Sequence, residues 1–164
     1  MIAAAYLILS LVTLQRLGEL VLAERNTRRL LAQGAHEVGR AHYPFVVAVH
    51  AGWLVTLWLL GPGPPIHVLP LTVYLLLQVA RVWVIAALGK RWTTRIVILP
   101  GEPLVRHGPY RWLDHPNYLI VVGEIAVLPL VFGLPVAAAF FSALNAVVLW
   151  VRVREENEAL APHR

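Results

Sequence analysis

Cysteine is absent from this chain, which excludes disulfides, Cys-ligated zinc, iron–sulfur clusters and a thiol nucleophile. Charge is scarce as well: Asp, Glu, Lys and Arg make up 14% of the residues, against about 25% in an ordinary soluble domain. No Gly-x-Gly-x-x-Gly stretch occurs, so the phosphate-cradling turn of a Rossmann nucleotide site is missing. The seven histidines are scattered without a ligand cluster, and no metal site is implied. What the chain has in abundance is apolar surface. With 59% hydrophobic residues and a mean hydropathy of +0.67 over 164 residues, it reads as a single domain embedded in a membrane.

Five apolar stretches stand out: Ile2 to Leu22, Phe45 to Leu60, Val68 to Leu88, Tyr118 to Phe132 and Leu134 to Val151. About twenty residues cross a bilayer core, so the first and third are comfortable spans and the others are shorter. The last two are separated by Gly133 and flanked by Pro129 and Pro135, the pattern of a tight helical hairpin. The expectation is an all-α, polytopic membrane protein with five transmembrane helices. Residues 1–88 would form a three-helix frame, and residues 89–164 would carry the chemistry. The first stretch has neither a basic start nor a small-residue cleavage site and is expected to be retained.

Lys and Arg collect in cytoplasmic loops. All of them except Arg16 and Arg81 lie in the segments Ala23 to Pro44, Gly89 to Asn117, and Arg152 onward. The Gly61-Pro-Gly-Pro-Pro65 turn and the hairpin tip at Gly133 carry none. An outside N terminus, five crossings and a cytoplasmic C terminus satisfy this distribution. The sequence pI of about 10.2 then reflects topology and anionic lipid headgroups. A nucleic-acid partner is not expected, because the cations are split among loops and form no single stripe.

Charges inside the apolar stretches need a partner or a cavity, since each costs about 2.5–3.5 kcal/mol on insertion scales. Arg16 and Glu19 are three apart and can neutralise one another. Tyr74, Gln78 and Arg81 share a helix face, and Arg81 has no acid nearby in sequence. Glu124, two turns beyond Tyr118, is its candidate partner. Arg81 and Glu124 are therefore either a structural pair or part of a substrate cavity. Trp83, Trp92 and Trp112 sit near the same boundary, as interfacial anchors or as pocket walls.

Two polar clusters end the last two apolar stretches. In Asp114-His115-Pro116 the proline suits the first position of a helix, the residues before it can cap free amides, and the helix end attracts an anion. The preceding Gly108-Pro109-Tyr110 is a turn that brings Tyr110 toward the same point. Asn145, Arg152 and Glu156 are seven and four apart, so one helix face carries all three, with Glu155 adjoining. An arginine beside acids suits a ligand bearing both an anionic and an ammonium group.

Leu104-Val-Arg-His-Gly-Pro-Tyr110, His115-Pro-Asn-Tyr118, Arg152 and Glu155-Glu156 follow the order and spacing found in the isoprenylcysteine carboxyl methyltransferase family, which the second half of the chain resembles. That resemblance implies a membrane enzyme using S-adenosylmethionine, with its cofactor site at the cytoplasmic boundary. Glu102, Pro103, Leu104, Val105, Tyr110, His115, Pro116, Asn117 and Tyr118 would contact the cofactor. Glu156 would bind its amino group, and Arg152 would lie beside the methyl acceptor. At one position the chain departs from the family, which commonly has Arg before the His-Pro pair where this chain has Asp114. Further matches at Gln15-Arg16, Glu19-Leu20, Arg25-Asn26, His42-Tyr43-Pro44, Leu88-Gly89 and Trp92 are similar to a bacterial branch associated with type III polyketide synthases. Members of that branch O-methylate long-chain alkylpyrones and alkylresorcinols, which implies a bacterial inner-membrane location and a lipid-like substrate.

The reaction so implied is an in-line displacement, in which alignment of the reactants supplies several kcal/mol, up to about 7–11 in ideal cases. Arg152 would stabilise an acceptor oxyanion, with His115 as a candidate base. Two other readings are compatible with the residues. One keeps the reaction but takes a prenylated cysteine carboxylate or another lipid as acceptor. The other is a non-catalytic scaffold or small transporter, with Arg16, Arg81 and Glu124 marking a solute path.

Overall fold

A computed structural model describes residues 2–161, so Arg164, one of the cations counted above, lies outside the described residues. Five helices follow one another: α1 (Ile2–Ala32), α2 (Tyr43–Leu60), α3 (Val68–Leu88), α4 (Pro116–Val131) and α5 (Pro135–Leu160). Between them lie two short strands, β1 (His36–Val38) and β2 (Ile96–Ile98), and 3-10 turns at Gly89–Arg91 and Gly108–Arg111.

The charged extensions of α1 and α5 remain helical well past the end of their apolar stretches. Hydropathy marks where lipid contact stops, whereas Ala, Leu, Glu and Arg in those extensions keep the helix going. α3 ends where sequence patterning predicts, because Gly89 adopts φ 52°, a conformation that stops the helix and costs a glycine little. α4 and α5 are joined by residues 132–134, with Gly133 at φ 65°, and pack against each other as a hairpin.

Among the described residues, α1, α2, α5 and α3 with its 3-10 extension are long and apolar enough to cross a bilayer. α4 has 16 residues, about 24 Å of helix at 1.5 Å per residue, and falls short of a bilayer core of about 30 Å. The five helices correspond to the five apolar stretches, four of them long enough to span and α4, as its short stretch foreshadows, shorter.

Two ends of the bundle can be distinguished. At one, the His67 N–H donates to the Val131 carbonyl (2.9 Å), which ties the uncharged α2–α3 turn to the α4–α5 tip. At the other, β1 pairs antiparallel with β2, in the register His36 opposite Ile98 and Val38 opposite Ile96. This pairing joins the basic α1–α2 link to the basic α3–α4 link. Strands this short leave no readable alternation, so the all-α expectation missed them.

The core follows the bundle axis, with Leu9, Trp53, Leu57, Ile125, Leu128 and Phe132 fully buried. Large apolar side chains such as Leu14, Val21, Leu59, Leu76 and Trp150 face outward. An apolar exterior over a small apolar core is what a lipid solvent permits, since helices there associate through packing and polar contacts.

Those polar contacts are concentrated in one buried cluster. Glu124 accepts from Arg16 (2.8 Å), from Arg81 Nε (2.7 Å) and from Gln78 (2.8 Å), and Arg81 Nη2 closes on its second oxygen. Glu19 accepts from Arg16 (2.9 Å) and Arg81 (3.3 Å), and Gln15 bridges Glu19 to Gln78. Two cations and two anions from α1, α3 and α4 cancel, so no net charge is left in the cluster.

Candidate cofactor and active site

The 3-10 turn Gly108–Arg111 buries Pro109 and swings Tyr110 toward the basic end of α3 and α4. His115 is the N-cap residue of α4 and Pro116 its first helical residue, as the sequence predicts. The expected side-chain cap is not made. Instead the His115 ring stacks on Tyr118 (5.3 Å between centroids, 22° apart) and its Nε2 lies 3.1 Å from Asn157 Oδ1 on α5. Its Nδ1 lies 3.8 Å from Glu156. Oxygen acceptors therefore flank the ring at both nitrogens.

Tyr118 is the meeting point of the two clusters. Its hydroxyl donates to Glu156 and accepts from Arg152 Nε (2.8 Å). Arg152 also donates from Nη2 to the Thr94 carbonyl (2.8 Å), so the guanidinium spans α4, α5 and the segment before β2. Spacing of four along α5 places Arg152 and Glu156 on one face, and that face meets the start of α4. Glu155, on the adjoining side, instead approaches His42 (3.3 Å) at the start of α2. Asn145 is buried lower on α5.

Tyr110, His115, Tyr118, Arg152 and Glu156 line a cavity of about 380 Å³. Its size falls within the range of about 300–1,000 Å³ typical of small-molecule sites. Of the predicted cofactor residues, Pro116 alone does not line it; it is buried in the first turn of α4. Arg152 lines it too, whereas Arg81 and Glu124 do not. They belong to the buried charge cluster deeper in the bundle. Glu102 and Pro103 are held over one edge by Arg91, whose guanidinium pairs with Glu102 and donates to the Pro103 carbonyl (2.7 Å). Burial, then the negative charge of Glu156, push the Tyr110 phenol above its usual range, so it stays a neutral hydroxyl.

The wall also holds an unpaired polar atom. Asn117 Oδ1 is buried without a hydrogen-bond partner among the described residues, and such an atom is ordinarily satisfied. The polar groups of Glu156, Arg152 and the Asn117 amide fit a ligand with an ammonium group, an anionic group and a polar nucleoside.

Sequence reasoning missed several contributors. Thr94 acts through its carbonyl, which every residue possesses, so no sequence signal marks it. Asn157 follows Glu156 directly and was legible only once His115 was placed beside α5. Of the three boundary tryptophans, Trp83 and Trp112 are exposed and pair with each other (6.1 Å), whereas Trp92 is buried and lines the cavity.

A second, open groove of about 780 Å³ runs between α4 and α5, walled by Leu119, Val122, Leu149, Trp150 and Val153. It shares Leu113, Asp114, His115 and Tyr118 with the first cavity. Those four residues stand between the two.

Residues 68–162 match the model of the isoprenylcysteine carboxyl methyltransferase (ICMT) family. A Bacillus subtilis protein described as uncharacterized protein YpbQ is 36% identical over 160 residues, covering 94% of this chain and 95% of that one. An uncharacterized Haemophilus influenzae protein is 22% identical over 152 residues, covering 89% of this chain and 88% of that one. No solved structure matches. The matched region contains α3, the cavity-lining loops, α4 and α5, and methyltransferases of the matching family generally use S-adenosylmethionine. With more than half of its length covered by the family model, this chain belongs to the isoprenylcysteine carboxyl methyltransferase family of membrane methyltransferases.

Proposed function

We propose that this protein is an S-adenosylmethionine-dependent O-methyltransferase whose acceptor is an amphipathic, lipid-like molecule, a long-chain alkylpyrone or alkylresorcinol. The observation that carries the reading is the convergence of His115, Asn117 and Tyr118 with Arg152 and Glu156 around one cavity at the basic end of the bundle. Bound there, the cofactor supplies a sulfonium methyl that an acceptor oxygen attacks as the carbon–sulfur bond breaks, leaving a neutral thioether.

The protein's own part is to bind and align. Glu156, oriented by the Tyr118 hydroxyl, holds the ammonium group of the cofactor. Arg152, fixed by Tyr118 and the Thr94 carbonyl, directs its charge at the acceptor oxyanion. His115 orients Asn157 and Glu156. An enolic pyrone is acidic enough to release its proton to water; a phenolic acceptor, with an ordinary pKa of about 10, needs a base, and His115, which borders both the cavity and the groove, is the candidate. The α4–α5 groove, which borders the cavity across His115 and Tyr118, takes the alkyl tail. Arg81 and Glu124 hold the frame together and are assigned no substrate contact.

Detergent-purified protein incubated with methyl-labelled S-adenosylmethionine and a panel of alkylpyrones, alkylresorcinols and prenylcysteines tests this reading. Transfer of label to an alkylpyrone or alkylresorcinol supports it. Transfer to a prenylcysteine alone corrects the acceptor, and failure to bind cofactor at all overturns the enzyme assignment.

A further inference from the structure

Trp92 follows the 3-10 turn Gly89–Arg91 and is 2% exposed, yet it lines the cavity. Its indole N–H is buried and makes no hydrogen bond among the described residues. Other indoles in the bundle do find acceptors: Trp53 donates to the Ile125 carbonyl (3.2 Å) and Trp58 to the Thr13 hydroxyl (3.0 Å). An orphaned buried donor in a ligand-sized cavity is costly unless something arrives to accept from it.

The position of Trp92 is fixed from outside the cavity. Asn26, buried on α1, donates from one amide nitrogen to the carbonyls of Trp92 (2.8 Å) and Gly89 (3.2 Å). The ring packs in an uncharged cluster with Ala23, Val84 and Ile120, bordered by Leu88 and Tyr110. A charged ligand group has no counter-ion in that cluster, whereas a flat neutral base finds apolar contact and one N–H.

Resting on the cofactor reading above, we propose that Trp92 is a ligand-binding residue: its indole N–H donates to an acceptor atom on the nucleoside end of the bound cofactor, and Asn26 positions it. Glu156 then takes the amino-acid end, which fixes the direction in which the cofactor lies.

The test compares wild type with Trp92→Phe, which removes the N–H and keeps a ring, in the detergent-purified full chain. Binding of S-adenosylhomocysteine and of adenosine alone is measured by calorimetry. Loss of about three- to tenfold in affinity for both ligands is expected, measured well below the thermal midpoint of each protein, because the smaller ring leaves a void that lowers that midpoint whether or not a ligand binds there. Unchanged affinity for both ligands overturns the proposal while leaving the cofactor reading intact. Wild type that binds neither ligand overturns both. Independently of whether the variant folds, one of the six indole signals of ¹⁵N-tryptophan-labelled wild type must shift on addition of S-adenosylhomocysteine. The other five are identified by their own Trp→Phe variants, and a Trp92 signal that stays still overturns the proposal.

Discussion

Tyr118 hydrogen-bonds both Arg152 and Glu156, yet the two partners are expected to fail differently when removed. Glu156→Ala takes away the carboxylate assigned to the cofactor ammonium, so affinity for S-adenosylhomocysteine should fall at least about tenfold, as for a lost charge-assisted hydrogen bond. Calorimetry on the purified variant checks this, and wild-type affinity would remove Glu156 from the site. Arg152→Ala leaves that carboxylate in place but strips the charge facing the acceptor oxygen. Its kcat should drop by about 10²–10³ while cofactor affinity changes little. Single-turnover kinetics at saturating cofactor separate the two, and an Arg152→Ala enzyme with normal turnover would show the acceptor lying elsewhere. Much of this pairing was legible beforehand, because spacing along α5 puts Arg152 and Glu156 on one face and His115-Pro116 opens a helix. The Arg152 contact with the Thr94 carbonyl was not legible, since a backbone acceptor carries no side-chain signature.

The helices pack through a few polar ties more than through a broad apolar core, and the tie that joins α1, α3 and α4 is the most exacting. Glu124 is 1% exposed and accepts from Arg16, Arg81 and Gln78. Sequence alone showed that Arg81 lacks a local acid and named Glu124 as its candidate partner; that Glu19 answers it as well was not legible, because helix order around the bundle is a tertiary property. Glu124→Ala leaves two guanidinium groups facing one carboxylate in a poorly solvated interior, a loss of about 3–5 kcal/mol. Glu124→Gln keeps an acceptor and should lose less. Denaturant unfolding in micelles measures both. If Glu124 serves the frame alone, the folded fraction of Glu124→Gln retains the wild-type KM for the acceptor; a raised KM with unchanged stability would return Glu124 to the substrate cavity. The strands β1 and β2 and the helical extensions beyond Leu22 and Val151 escaped hydropathy for a common reason. None forms the long apolar run that hydropathy detects: the strands are three residues long and the extensions are charged.

Orientation links these parts to the source of the cofactor. The cavity, the paired strands and the basic links all lie at one end, and the uncharged turns 61–67 and 132–134 lie at the other. Lys and Arg are held on the cytoplasmic side during insertion, so the cavity end should face the cytosol. α4 starts at the cavity end and finishes beside His67 at the turn end, so a fifth crossing is expected despite its 16 residues. A helix shorter than the bilayer core is accommodated by local thinning at modest cost. An open groove along α4 and α5 at such a thinned place would give an alkyl tail a lateral path to Tyr118. Because the chain contains no cysteine, single-cysteine variants probe this topology without background. Gly63→Cys lies in the α2–α3 turn, where an added Cβ meets nothing within 4 Å, and Arg106→Cys lies in the exposed loop bordering the cavity. In intact cells with a permeable outer layer, an impermeant maleimide should label Gly63→Cys, and it should reach Arg106→Cys only after the inner membrane is opened. The reverse pattern would place the cavity outside, away from cytosolic S-adenosylmethionine, and labelling of both positions in intact cells would show that α3 does not cross.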